Sequence, residues 1–225
     1  MGTAVTNAFF IQATNNPYND LETFQYVLHH ELMHYWIGGK IVNRHEELNY
    51  WFSEGFTDYY TYKNRLRIKD LSLEEWLKKF NADVIRAHWI NPKRNIPNFQ
   101  IKDDFWNSRD IEKVPYRRGA IFAFWLDNQI LIKSNYTRSL DHLMKDLLGE
   151  CAKENKLFDD ELFLRFTHKY LDEDISYFFQ KHIIAGKDID LPNGKWVEGF
   201  SFALQDSIPI LSSERNDASK YLIEK

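Results

Sequence analysis

The sequence predicts a mainly α, α+β domain: a helical lobe with short edge strands near its two ends. Three observations lead there. Readable start and stop signals bracket the longer apolar-periodic segments. Strand-like alternation is confined to residues 4–12 and 195–205. The 225 residues, 44% hydrophobic and 16% aromatic, are enough for one sizeable core or two small lobes. A net charge of −4 gives no strong attraction to nucleic acid or to an anionic membrane surface. No apolar run approaches the roughly 20 residues that span a bilayer, so no integral membrane segment is expected. Cys151 is the single cysteine, which excludes an intrachain disulfide.

The elements follow in order. Residues 4–12 read as one edge strand. Asp20 suits the N-cap of a helix that starts at Leu21, with Leu21, Phe24, Val27 and Leu28 on a broad core face shared with His30 and His34, and Gly38-Gly39 closes it because glycine tolerates a left-handed cap. A loop or short strand at Ile41-Val42 and a polar stretch over residues 43–47 lead to a second helix, capped by Ser53 and opened by Glu54. His45 in that stretch reads as a solvated loop residue rather than a ligand. Ser72-Leu73-Glu74-Glu75 is a capping box. Residues 88–115 contain Pro92, Pro97 and Pro115 and little periodicity. They read as a long loop of the kind that often serves function, with Phe99, Phe105 and Trp106 either walling a cleft or pinning the loop to the core. Helices are expected over about 116–133, 140–154, 159–171 and 174–185, with Ser139 and Asp174 near two of their starts. Residues 191–194 mark a turn, Lys195–Gln205 a terminal strand, and the polar tail from Ser212 is expected to fray.

The chemistry lies in His30-Glu31-Leu32-Met33-His34. A helix turns by about 100° per residue, so positions i and i+4 stand nearly above one another, about 6 Å apart along the axis. His30 and His34 can therefore aim two imidazoles at one metal ion, which is the basis of the zinc-hydrolase pattern His-Glu-x-x-His. Glu31, on the flank of that face, can reach a water at the ion without being a ligand. Two histidines at this spacing can also be partly buried, hydrogen-bonded residues with no metal, a reading that the bare pattern disfavours. A catalytic zinc usually keeps three protein ligands and one open position. The third ligand is expected from the segment Trp51-Phe52-Ser53-Glu54-Gly55-Phe56-Thr57-Asp58, as Glu54. Asp58 lies one turn further on the same face. It is placed to accept a hydrogen bond from the second ring nitrogen of a ligand histidine, which fixes the tautomer. Alone, Glu54 and Asp58 would read as a solvated acidic pair.

These motifs resemble the gluzincin clan of metallopeptidases, which includes thermolysin and the aminopeptidase N family. The wording Trp51-Phe52-Ser53-Glu54-Gly55-Phe56-Thr57-Asp58-Tyr59-Tyr60 is closest to the glycyl aminopeptidase family. Tyr116-Arg117-Arg118-Gly119 resembles the Tyr-x-Lys-Gly motif of these enzymes. Leu126-Asp127, Ser139 to Met144, and Phe178 to Gly186 resemble the helices that follow. The similarity runs from about residue 20 to about 192, in the family's order. It implies a thermolysin-like zincin catalytic domain over residues 1–192, followed by a C-terminal strand and tail over 193–225. It implies one zinc ion held by His30, His34 and Glu54, with Glu31 as general base, Tyr116 as hydroxyl donor to the tetrahedral oxyanion, and Asp58 behind a ligand histidine. The implied partner is a peptide substrate, hydrolysed in the manner of an aminopeptidase. Endopeptidase action, or a peptide-binding or incomplete fragment without turnover, are the alternatives.

Two departures bear on that choice. The interval 35–53 is one residue longer than the aminopeptidase N pattern, which a loop absorbs. Aminopeptidases of this clan carry a glutamate on a glycine-rich edge strand that holds the substrate's amino group, and Gly2 to Ile11 contain none. The family's large N-terminal β domain does not fit in this length either. The chain is therefore expected to be an excised catalytic fragment of a longer parent with further domains. No signal peptide is visible, and the compartment is left open.

Overall fold

The computed structural model describes residues 2–5, 8–11, 20–154 and 156–222. Chain order begins with two short strands, β1 (Gly2–Val5) and β2 (Ala8–Ile11), paired antiparallel with Gly2 opposite Ile11 and Val5 opposite Ala8. The single edge strand expected over residues 4–12 is thus a hairpin. Its register keeps residue i opposite residue 13−i, which a pattern of alternation cannot distinguish from one longer strand.

Helix α1 (Leu21–Met33) starts where Asp20 predicts, with the Asp20 side chain accepting from the Thr23 amide at 2.7 Å. It stops at Met33, with His34 as its C-cap, five residues before Gly38. The chain then makes a tight turn through Gly38 at φ +96°, closed by a bridge between Ile37 and Ile41. The expected core face of α1 is a correction as well. Leu21 is 71% exposed and Phe24 41% exposed, while His30 and Glu31 are buried. Tyr26 and Met33 pack against the core, so the helix is rotated to turn its polar chemistry inward.

The second helix begins before Glu54. Helix α2 (Tyr50–Ser53) and helix α3 (Gly55–Arg67) meet at Glu54, and Ser53 ends α2 rather than capping α3. Its hydroxyl instead donates to Glu46 at 2.5 Å. Helix α4 (Leu73–Lys79) opens on the capping box with both reciprocal bonds formed, and runs through a wider π-type segment, Phe80–Arg86, into α5 (Ala87–Trp89).

The expected loop 88–115 contains α6 (Asn98–Asp104) and the first turns of α7 (Arg109–Lys133). Proline inside a helix costs about 3 kcal/mol and disfavours helix in the residue before it, so the sequence argues for a break near Pro115. Burial overrides that preference: Val114 and Pro115 are both buried. α7 also crosses the α2–α3 joint at a separation that only glycines allow. A Cβ on Gly119 would come within 1.9 Å of the Trp51 carbonyl oxygen, and one on Gly55 within 2.4 Å of the Gly119 Cα. Gly119→Ala must therefore push the helices apart. It is expected to cost at least about 1–3 kcal/mol and to displace Glu54, which adjoins the crossing. Denaturant unfolding checks this, and a variant as stable as wild type would contradict it.

Helices α8 (Leu140–Glu154) and α9 (Asp160–Leu171) match expectation, with the Asp159 side chain accepting from Leu162. At the start of α8 the Leu140 amide donates to Asp127 of α7 at 2.7 Å, and the Ser139 amide to His142. Helix α10 (Ser176–Phe179) continues through a π-type segment, Gln180–Ile184. As far as Leu222 the segment expected to fray is instead built into the fold. β3 (Phe200–Gln205) pairs antiparallel with β4 (Ile208–Ser213), Phe200 opposite Ser213, and α11 (Ser219–Leu222) follows. Phe202, Leu211 and Tyr221 join the main core, and the Tyr221 hydroxyl lies 2.5 Å from that of Tyr59. The polar residues after Ser212 conceal this anchor. Among the described residues no helix is long and apolar enough to cross a membrane.

Candidate metal centre

His30 in the last turn of α1, His34 at its C-cap and Glu54 at the α2–α3 joint converge. The Nε2 atoms of the two histidines lie 3.1 Å apart, and Glu54 Oε2 lies 3.3 Å from one and 3.6 Å from the other. Although α1 has ended, His34 keeps helical dihedrals, so the i,i+4 stacking of the imidazoles survives. Four ligands at about 2.0–2.1 Å from a tetrahedral ion stand about 3.3–3.4 Å from one another. The three separations bracket that value. Glu54 Oε2 is buried without a hydrogen-bond partner, which is the state of a donor atom waiting for a cation. Two imidazole nitrogens and one carboxylate oxygen are a donor set that suits zinc. The residues present therefore fit the ion.

The ring nitrogens that face away from the cluster are both held. His30 Nδ1 pairs with Asp58 Oδ1 at 2.9 Å, and His34 Nδ1 with the Ile37 carbonyl oxygen at 3.1 Å. Each acceptor favours a proton on Nδ1 and so leaves Nε2 as the free donor. Charge accumulates at the same point. Burial opposes charge on His30, but Asp58 and Glu54 overcome it and push its pKa up to about 10, so a cation binding there takes the place of the Nε2 proton. Burial likewise opposes the charge on Glu54, and the two imidazoles outweigh it, holding Glu54 far below the usual carboxylate range. The pocket thus favours positive charge between these side chains.

Glu31 is buried beside them and is not one of the converging donors; its Oε2 is also without a hydrogen-bond partner. Burial raises its pKa, against the opposing pull of His30 and His34. Tyr116, two turns into α7, stacks on the His30 ring with centroids 6.0 Å apart and planes at 16°. Burial first, then the carboxylates of Glu54 and Asp58, push its phenol pKa upward, so it stays protonated. The Lys113 ammonium sits 4.4 Å from the centre of the Tyr116 ring.

All six residues singled out from the sequence are accordingly brought to one place: His30, Glu31, His34, Glu54, Asp58 and Tyr116. His45 is exposed and outside the cluster. Of the three aromatics proposed as cleft walls, Phe105 is buried and stacked on Tyr50 in a small second core that also supports Tyr116. Phe99 and Trp106 are 59% and 84% exposed. Two features escaped the sequence. Tyr26, one turn before His30, donates its hydroxyl to the same Asp58 oxygen; its i−4 spacing was a usable signal. The Ile37 carbonyl had none, because a backbone atom carries no sequence mark. A cavity of about 330 Å³ lined by Met33, Trp36, Tyr60, Met144 and Leu148 includes none of the converging donors. The chemistry is located by the donor cluster and not by the presence of a cavity.

A helical lobe that brings His-Glu-x-x-His and a downstream glutamate to one point defines the class of metallopeptidase-like domains. The chain belongs to peptidase family M1, whose profile matches residues 1–182. Its fold is similar to the crystal structure of an aminopeptidase N family protein from Idiomarina loihiensis, with a TM-score of 0.64 and 18% identity. The match covers 90% of this chain and 42% of that one, so the chain spans less than half the length of this structural relative. No curated protein matches the sequence significantly.

Proposed function

We propose that this domain hydrolyses peptide bonds with a single zinc ion held by His30, His34 and Glu54. The observation that carries the proposal is the 3.1–3.6 Å triangle of donor atoms, with the unpartnered carboxylate oxygen of Glu31 and the Tyr116 ring beside it. Zinc, when bound, supplies Lewis acidity toward a carbonyl oxygen and toward water. Glu31 takes the proton of the attacking water and passes it to the leaving amine; its burial raises its proton affinity for that double duty. The Tyr116 hydroxyl donates a hydrogen bond to the oxygen on which negative charge develops. Asp58 holds the His30 ring, and the Ile37 carbonyl holds that of His34.

Family membership favours aminopeptidase action on a peptide with a free amino terminus. Hydrolysis of a mixed peptide set with free and with acetylated N-termini tests it. Cleavage confined to free termini is expected, and equal cleavage of both would assign an endopeptidase. Tyr116→Phe is expected to lower kcat by about 100-fold, the low end for loss of one such donor, with zinc content unchanged. Wild-type turnover would remove Tyr116 from the mechanism.

A further inference from the structure

We infer that Tyr26 is a positioning residue of the metal centre: its hydroxyl fixes Asp58, and Asp58 in turn fixes His30. The inference rests on the zinc reading above. Tyr26 precedes His30 by one turn of α1, so both side chains face α3. There the Tyr26 hydroxyl donates to Asp58 Oδ1, the very oxygen that pairs with His30 Nδ1 at 2.9 Å. The Tyr26 ring is held between two others, with centroids 6.0 Å from His30 and 5.7 Å from Tyr62. Asp58 is buried, so water is a poor substitute for the phenol.

Two effects follow from one hydrogen bond. The first is geometric: an oxygen with two donors at fixed angles holds the carboxylate rotamer, and hence the plane of the imidazole. The second is electronic: a neutral donor on the carboxylate spreads its charge and keeps the shared proton on Nδ1, which leaves the Nε2 lone pair directed at the donor cluster. A Tyr26 that merely packs would be replaced by phenylalanine without consequence, since the ring and its neighbours stay. The hydroxyl is what the inference concerns.

The test is a double-mutant cycle read as zinc affinity, by competition with a chromophoric chelator at fixed pH. Wild type, Tyr26→Phe, Asp58→Ala and the double variant are compared, with unfolding of the metal-free proteins as the check on folding. Tyr26→Phe is expected to weaken zinc about tenfold and Asp58→Ala by about 10–100-fold. The double variant should be no weaker than Asp58→Ala alone, because Tyr26 acts only through that carboxylate. Wild-type affinity in Tyr26→Phe, or losses that multiply in the double variant, overturns the inference. A measurement on the unaltered zinc-loaded chain is independent of any variant: a slowly exchanging Tyr26 hydroxyl proton is expected by NMR, and rapid exchange counts equally against the bond. A wild-type chain that takes up no zinc defeats the metal-centre reading itself, and the two failures are thereby told apart.

Discussion

Glu31→Gln is expected to leave zinc content at the wild-type level and to lower kcat by about 10²–10⁴-fold, the contribution of a well-placed acid–base group. Glutamine keeps the shape and the hydrogen-bonding reach of the side chain and removes only its basicity. Metal content should hold because Glu31 is not among the three converging donors, and His30, His34 and Glu54 keep their own partners. The size of the effect follows from the position of the carboxylate. It is buried with one oxygen unpartnered, whereas Glu54 belongs to the donor set and Asp58 is engaged by Tyr26 and His30. Measuring kcat and zinc stoichiometry on one preparation separates the outcomes. Wild-type turnover takes the base away from Glu31. Loss of zinc along with activity gives it a structural part instead.

The largest effect on stability is expected at Asp127. This carboxylate is fully buried on α7 and gathers three partners: the Lys63 ammonium at 2.6 Å, the Leu140 amide at 2.7 Å and the Tyr59 hydroxyl. Lys63 is itself wholly buried, and its other carboxylate, Asp141 at 3.2 Å, is partly exposed. Asp127→Ala leaves an ammonium in the core with half its compensation, uncaps α8, and frees the Tyr59–Tyr221 pair that anchors the tail. Removal of one member of a buried ion pair costs about 3–5 kcal/mol, or roughly 6–20 °C in Tm for a chain of this size. Asp127→Asn keeps an acceptor for Leu140 and is expected to cost less. Thermal and urea unfolding read both, and an alanine variant as stable as wild type would show that the network carries no net stabilisation. Leu126-Asp127, noticed in the sequence only as a family resemblance, acquires here a physical reason: it joins α3, α7, α8 and the C-terminal helix.

The donor cluster was legible because its logic is local. His30 and His34 are related by one turn, Glu54 and Asp58 by another, and Asp20 and the box at Ser72 mark their helices by their own side chains. What was not legible depends on partners far along the chain. Pro115 reads as a helix breaker until Gly119 and Gly55 are seen to cross at a distance no side chain permits. The residues after Ser212 read as a frayed tail until Tyr221 meets Tyr59, 162 positions earlier. Apolar periodicity puts Leu21 and Phe24 on the core face of α1 together with the histidines, whereas Leu21 and Phe24 are exposed and His30 turns inward with Glu31, and Tyr26 beside them. A functional helix breaks the pattern that ordinary burial would impose, and Tyr26 belongs to the same exception.

The most direct test of the zinc-centre reading is metal stoichiometry after exhaustive dialysis, for wild type and for Glu54→Ala. One zinc per wild-type chain is expected, with retention lost in Glu54→Ala because two histidines alone leave the ion without its third protein ligand. A wild-type chain that carries no zinc, or a Glu54→Ala chain that retains it undiminished, would contradict a centre built from His30, His34 and Glu54.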